Sequence, residues 1–283
     1  MALRVFNNLF SVSAQRYLGN NNARLGTSLE RLSSGLRINR GADDAAGLAI
    51  SEALRGDIRS LNQATRNAND GISLINTAEG ALSEQASILV RMRELSSQAA
   101  TGTVGSIERR TIDREFQALM AEINRISAVT EFNGQKLING SLSSSAVTSV
   151  VIQIGIQATS SDRISLNNAV DLTAITSAGL AISTLNVLTA ASSLSALPSL
   201  DSAISTVTDG RGRLGAVQNR LVHTVSNLTV TTENLIAAES QIRDADYASE
   251  ISKFTKNKIL VQASTAILAQ ANLVPQNVLQ LLG

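Results

Sequence analysis

The chain has no cysteine, no tryptophan, one histidine and two prolines in 283 residues. Without cysteine there is no disulfide, no thiol nucleophile and no thiolate-ligated metal. A single His223 leaves nothing from which to build a histidine cluster for a metal within one chain. Aromatic residues make up only 2%, although 43% of the sequence is hydrophobic. Globular cores draw much of their buried area from large aromatics, whereas Leu, Ile, Val and Ala suit helix seams. Pro198 and Pro275 are too few to forbid long helices. The net charge of +1 gives no strong field to attract nucleic acid or an anionic membrane. No window approaches the ~20 apolar residues of a membrane span. Asn7 and Asn8 break the apolar N-terminus before a signal-peptide core can form. The expectation is a soluble protein with no membrane span, no conventional secretion signal and no cofactor.

What is present is helical periodicity. Leu3, Phe6, Phe10, Ser13 and Tyr17 step by three and four, and Leu25, Leu29, Leu32 and Leu36 continue the stripe on a slightly rotated face. Such a narrow-faced helix is marginal alone in water. The segment 32–56 then interrupts the pattern with a nearly neutral joint. Gly35 can close a helix in the left-handed conformation. Arg37 and Arg40 are followed by Asp43 and Asp44, which suit the cap and first turn of the next helix.

The strongest signal covers about 43–100, where Leu61, Ala68, Ile75, Leu82 and Leu89 recur every seven residues with Ile58, Ile72, Ala86 and Met92 beside them. This is a coiled-coil seam. A helix of about 55 residues spans roughly 80 Å, more than the roughly 48 Å diameter of a compact globule of this length, so an elongated rod is predicted. Gly47, Gly56, Gly71 and Gly80 lie inside this helix. Either another backbone approaches closely there, or they are tolerated in a long packed helix.

Ile112, Phe116, Leu119, Ile123 and Ile126 form a second seam helix able to fold back on the first. The segment 130–140, with two Asn-Gly pairs, reads as a turn-rich exit. Val150, Ile152, Ile154 and Ile156 change the period to two. With the alternation at 163–166 they predict one short β-hairpin. The stretches 141–149 and 171–196 carry no clear period. From Leu200 to Ile242 the helical pattern returns, Asp244 and Asp246 mark a second joint, and Ile251, Phe254, Leu260, Ile267, Ala271, Val278 and Leu281 form a last amphipathic helix interrupted at Pro275.

Candidate chemical sites fail one by one. No GK[ST] follows Gly35–Gly41, so there is no phosphate loop. With Gly71 as the fixed glycine of a calcium loop, Arg66 and Ala68 would fall on ligand positions. Asp43–Asp44 reads as capping rather than paired acid–base carboxylates. Arg109 and Arg110 have no aromatics between them to stack bases, and His223 lies beside the seam as a surface or packed residue. No enzyme site emerges.

Several stretches together resemble the bacterial flagellins: LSSGLRINRGADDAAGLAISEALRG at 32–56, NANDGISLINTAEGALSE at 67–84, TEFNGQKLING at 130–140, RLGAVQNRL at 213–221, ENLIAAESQIRDADYASE at 233–250 and FTKNKILVQASTAILAQAN at 254–272. The resemblance covers both ends and the long helices and leaves 141–196 unmatched. It implies a mainly α fold, an elongated rod of long antiparallel coiled-coil-like helices formed by both halves of the chain, with one small β-hairpin. Residues 1–42 and 243–283 would pair as the inner domain lining a filament core. Residues 43–242 would form the outer rod, with a small insert near 141–196 and little or no surface domain.

The implied function is a structural subunit that self-assembles into the extracellular helical flagellar filament. Export would proceed through the flagellar apparatus, without a cleaved signal peptide. The polymerising faces would carry Leu3, Phe6, Phe10, Tyr17, Leu25, Leu29, Leu32, Ile251, Phe254, Leu260, Ile267, Val278 and Leu281, and the connector Gly35, Arg37, Arg40, Asp43 and Asp44. Implied partners are further copies of the chain, an export chaperone, a cap protein and a hook-junction protein. LVRMREL at 89–95 is similar to the segment read by a vertebrate innate immune receptor, with Arg91, Leu95 and Glu115 at the matching positions. Phe6, Phe10, Arg40, Gly41 and Gly283 depart from the family pattern. The rivals are a hook–filament junction protein and, from another class, a chemoreceptor-type signalling hairpin.

Overall fold

The structure is a computed structural model that describes residues 8–282, with side chains described over 8–273. It is mainly helical: α1 (Leu9–Ser34), α2 (Ala45–Ala100), α3 (Ser106–Val129), α4 (Leu166–Val170), α5 (Ala190–Arg243) and α6 (Tyr247–Leu282). Four short strands pair as β1 (Glu131–Phe132) with β2 (Gln135–Lys136) and β3 (Val151–Gln153) with β4 (Arg163–Ser165). The chain divides into two compact units, residues 57–233 and the two ends together, 1–56 with 234–283. Both joints read from the sequence, at 35–44 and 243–246, lie inside the unit formed by the ends.

The 57–233 unit has a continuous core. On α2 the buried positions are Leu61, Ala64, Ala68, Ile75, Ala78, Leu82, Leu89, Met92, Ser96 and Ala99, and on α3 they are Ile112, Phe116, Met120, Ile123 and Ser127. Ser193, Ala196, Leu200, Ala203, Val207, Leu214, Val217 and Leu221 answer from α5. Spacings of three and four keep one stripe of each helix inward. The helices run antiparallel, as cross-links at opposite ends show. On α2, Asn76 Oδ1 accepts from Gln218 Nε2 at 3.0 Å, and Arg93 donates to Asp201 at 2.6 Å. Gln85 is wholly buried in this stripe, and its Nε2 donates to the carbonyls of Ile123 and Ile175 at 3.0 and 3.2 Å. One amide thereby ties α2 to α3 and to an irregular segment.

That segment, 137–187, is mostly irregular backbone around the short β3–β4 pair and α4. It still buries Leu137, Ile138, Leu142, Leu166, Val170, Leu172, Ile175, Ile182 and Val187 against the helices. Asn167 organises it. Its Nδ2 donates to the carbonyls of Ser141 and Ser143 at 2.8 and 2.9 Å, and its Oδ1 accepts from Val150 N at 2.7 Å. Asp171, in left-handed backbone at φ 43°, accepts from Ser144 N. The hydrogen bonds from Ser144 hold the Asp171 carboxyl below the usual aspartate range.

The hairpin read from the sequence forms as β3–β4, and a second pair of two-residue strands, β1–β2, closes within the turn-rich 130–140. Asn133 and Gly134, at φ 51° and 78°, form the two-residue turn that closes β1 onto β2. The β3–β4 pair is shorter than the alternation suggested, with Ile152 opposite Ile164; Ile156 lies beyond it, exposed. What stands nearest the α2 glycines is side chain, not the close backbone that is one of the two expectations. A Cβ on Gly71 would overlap Ile152 Cδ1, and one on Gly47 would crowd Asp44 and Ile38, whereas Gly56 and Gly80 have nothing nearby.

Two prolines also behave differently from expectation. The helix α6 continues through 275 to Leu282 rather than breaking there, and α5 begins before Pro198. A proline removes one helical hydrogen bond. At Pro198 the carbonyl left over belongs to Leu194, an exposed residue, so water can take the missing donor's place.

A candidate polymerisation surface and its connector

In the unit formed by the chain ends, α1 and α6 lie antiparallel against one another. Asn8 caps α1, its Oδ1 accepting from Ser11 N at 3.1 Å while its Nδ2 donates to the Ala271 carbonyl at 2.8 Å. At the other end Tyr247 Oη donates to the Leu32 carbonyl at 3.3 Å. The seam between them is made of small and polar groups: Ala14 and Ser28 from α1, Glu250, Ser264 and Ala271 from α6 are the buried residues. Leu25, Leu32, Phe254 and Leu260 of the sequence-derived stripe are half-buried. Phe10, Tyr17, Leu29, Ile251 and Ile267 are each more than half exposed. Leu3 and Phe6 fall outside the described residues, and the side chains of Val278 and Leu281 lie outside those described.

The exposed apolar surface is wider than the stripe. Leu9, Val12 and Ile259 are also more than half exposed. A search for 3.6-residue periodicity passes over them, because they lie on other sides of the helices. The missed signal is that apolar residues also stand outside the stripe, among polar ones such as Arg16, Asn22 and Lys253, so one stripe does not hold all the apolar surface of each helix.

The connector is built by side chains closing on backbone. Gly35 takes φ 73° as the cap of α1, a conformation that costs glycine no Cβ clash. Leu36 and Asp244 form an antiparallel bridge: Arg37 N donates to the Arg243 carbonyl at 2.7 Å, and Ala245 N to the Gly35 carbonyl at 2.9 Å. The Arg37 guanidinium reaches the Ile242 carbonyl at 2.5 Å, covering a carbonyl at the end of α5. Asp43 accepts from the backbone N–H groups of Asn39 and Arg40 at 3.1 and 3.0 Å, and Asp44 accepts from Gly47 N as the cap of α2. The Arg40 N–H is the main reason the Asp43 carboxyl sits below the usual aspartate range. Arg40 pairs with Glu30 through two contacts at 2.9 Å. Glu52 receives both Arg243 and Arg55, and the Arg243 hydrogen bond is the leading cause of its lowered pKa.

The receptor-like trio does not form one surface. Arg91 pairs with Glu115 at 2.9 Å on the outside of α2 and α3, but Leu95 is 1% exposed. Its position in the α2 stripe turns it into the core, beside Met92 and Ser96. His223 is exposed and lines an open groove with Arg220 and Asp162, whose carboxylate already accepts from Gln157 N. Among the described residues no group of three or more His, Asp or Glu could hold a metal ion, and no helix is long and apolar enough to cross a membrane.

Two family models match, the bacterial flagellin N-terminal helical region over residues 5–143 and the C-terminal helical region over 197–282. The chain is 49% identical to a flagellin of Halalkalibacterium halodurans, covering 97% of this chain and 98% of that one. The chain belongs to the flagellin family. A flagellin of Bacillus subtilis is 47% identical over 99% of this chain and all of its own length. Among solved structures, a flagellar hook-associated protein of Vibrio parahaemolyticus aligns with TM-score 0.57 over 71% of this chain and 100% of its own, at 13% identity. That likeness concerns the fold alone. Full-length identity to flagellins decides against both the hook-junction and the signalling-hairpin alternatives. The unmatched segment of this flagellin, 144–196, contains β3, β4 and α4, the region that Asn167 folds down onto the helices.

Proposed function

We infer that this flagellin is a structural subunit of the flagellar filament that polymerises through the outward apolar faces of α1 and α6. One observation carries the reading: Phe10, Tyr17, Leu29, Ile251, Ile259 and Ile267 face solvent, while the fully buried residues of the seam are small or polar. At about 25 cal/mol per Å² of apolar surface, leaving such faces wet forgoes much of what folding usually gains. Neighbouring copies recover it. Residues 1–42 and 243–283 then line the filament core, and the filament stands outside the cell after export without a cleaved signal peptide. The export chaperone shields the same apolar segments in transit, and the cap and hook-junction proteins meet them during growth. A vertebrate innate receptor that reads this chain engages the Arg91–Glu115 pair without Leu95, which the core encloses.

The test is seeded growth. Purified chain added to filament fragments is expected to elongate them into helical filaments visible by electron microscopy, and Ile251→Asn with Ile267→Asn to abolish elongation. Absence of growth by the unaltered chain, or normal growth by the double variant, overturns the reading.

A further inference from the structure

The chain-end unit buries small and polar groups along α1 and α6, yet it encloses one large apolar side chain. Among its described residues that side chain is Ile38 alone, 2% exposed, in the connector. It lies over the start of α2, where Gly47 leaves room for it: a Cβ on Gly47 would stand 2.8 Å from Ile38 Cδ1. Gly47 is itself buried. Ser51, one turn further along the same face, is wholly enclosed, and its hydroxyl donates to the Leu48 carbonyl at 3.0 Å. The neighbouring polar contacts do less to hold the connector on α2. Asn39 and Asp43 fold the loop onto itself, Asn39 Nδ2 donating to the Leu36 carbonyl and Asp43 accepting from Arg40 N. The Glu52–Arg243 pair has a half-exposed carboxylate, and such surface pairs contribute little.

We propose that Ile38 is the pin of the connector: seated over Gly47, it fixes the direction in which the α1–α6 pair leaves the start of α2, and with it the helical pitch of the filament. This rests on the polymerisation reading above, in which the faces of α1 and α6 meet neighbouring copies. A turn of the pair at its base is repeated in every subunit, so a small change there accumulates along a polymer. Close-packed side chains admit few alternative arrangements, whereas exposed loops and surface ion pairs admit many. Ile38 is thus a positioning residue that touches no neighbouring copy itself.

The test exploits a match of atoms. Ile38→Val deletes Cδ1, the Ile38 atom that a Cβ at Gly47 would meet. The Asp44 carboxylate also stands 2.5 Å from that point, but it ends an exposed side chain and can turn aside in either background. Filaments are grown on seeds from the unaltered chain, Gly47→Ala, Ile38→Val and the double variant. Electron microscopy gives the pitch. Amide exchange at Arg37 and Ala245, whose N–H groups donate to the Arg243 and Gly35 carbonyls, reports opening of the connector. Gly47→Ala alone should change the pitch and speed exchange at both amides by about tenfold. In a chain carrying Ile38→Val it should leave the pitch unaltered and speed exchange by less than about threefold. Gly56→Ala, on the same helix with open space around it, controls for helix propensity and should change neither.

An unchanged pitch in Gly47→Ala overturns the pin, whatever the exchange shows. An effect of Gly47→Ala that is equal with and without Ile38→Val does so too, as does an equal change of pitch in Gly56→Ala. Should Gly47→Ala not elongate, elongation restored by adding Ile38→Val supports the pin, and no restoration overturns it. Failure of the unaltered chain to elongate sinks the polymerisation reading instead. The exchange cycle on the free chain then still tests the pin, and equal effects in both backgrounds overturn it.

Discussion

The two units of this flagellin use helices of similar composition in opposite ways. In residues 57–233 the large side chains point inward: Leu82, Leu89, Met92, Phe116, Ile123, Leu214 and Leu221 are fully enclosed, and small residues such as Ala68 and Ala203 fill between them. Along the α1–α6 pair of the chain ends the buried residues are small or polar, while Phe10, Tyr17, Ile259 and Ile267 are outside. Hydrophobic content alone does not tell a self-sufficient fold from one completed by other copies. What separates them is which residues occupy the seam.

The comparison breaks most sharply at phenylalanine. Phe116→Ala empties a fully buried site and should destabilise its unit by about 3–5 kcal/mol. Phe10→Ala removes an exposed side chain and should change monomer stability by no more than about 0.5 kcal/mol, while impairing seeded growth. Urea unfolding of both variants checks the pair, and equal costs would erase the distinction between the units.

Glycine gives the next test. Gly71→Ala must displace Ile152 and is expected to cost about 1–3 kcal/mol. Gly19→Ala and Gly26→Ala, with open space around both, should each stabilise α1 by up to about 1 kcal/mol. Thermal unfolding followed by circular dichroism reads both signs.

Gln85→Leu probes whether the packed unit depends on the buried amide that joins α2 to α3 and to Ile175. It removes the donor to the Ile123 and Ile175 carbonyls, with an expected loss of about 1–3 kcal/mol and faster amide exchange in the 171–189 segment. Unchanged exchange there would show that apolar packing alone holds the segment down.

The smallest effect is acid sensitivity of the connector. The Glu52 carboxyl sits below the ordinary glutamate value because Arg243 and Arg55 hydrogen-bond to its charged form. A depressed pKa contributes stability that is fully present above the unfolded value of about 4.3. That contribution is lost as pH falls through the folded value. Glu52→Gln should therefore flatten the pH dependence of the chain-end unit below about pH 4.3, because the variant lacks that small surface contribution at neutral pH as well. An acid titration by circular dichroism that stays as steep in the variant excludes the Glu52–Arg243 pair as a source of that dependence.

Much of this was legible before folding. The heptad from Leu61 to Leu89 fixes the inward stripe of α2, because only a helix brings residues three and four apart onto one side. Gly35 and Asp44 sit where a cap is needed because caps depend on local backbone geometry, whereas Asp43, read as the cap with Asp44 in the first turn, lies one place before it and accepts from Asn39 N and Arg40 N instead. Of the 137–187 segment only the alternation behind the β3–β4 pair was legible; the rest was not. It is ordered by Asn167, Asp171 and Gln85 bonding to carbonyls and amides far along the chain, and such pairings leave no period to read. Leu95 shows the same limit within a helix. A likeness at 89–95 placed it on a surface, whereas the direction of the α2 stripe puts it in the core.

The sequence by itself determined that this chain is helical, free of cysteine chemistry and a member of a filament-forming family, because composition, periodicity and motif order survive without coordinates. Only the tertiary structure decided which sides of α1 and α6 face each other. Apolar residues such as Leu9, Val12 and Ile259 lie outside the main stripe, so a helical wheel alone does not choose the seam. The choice falls on the hydrogen-bonded pairs Asn21–Ser264 and Asn257–Ser28 and on the Ala positions, where two backbones approach closely and satisfy their polar groups, and the bulkier side chains are left facing out.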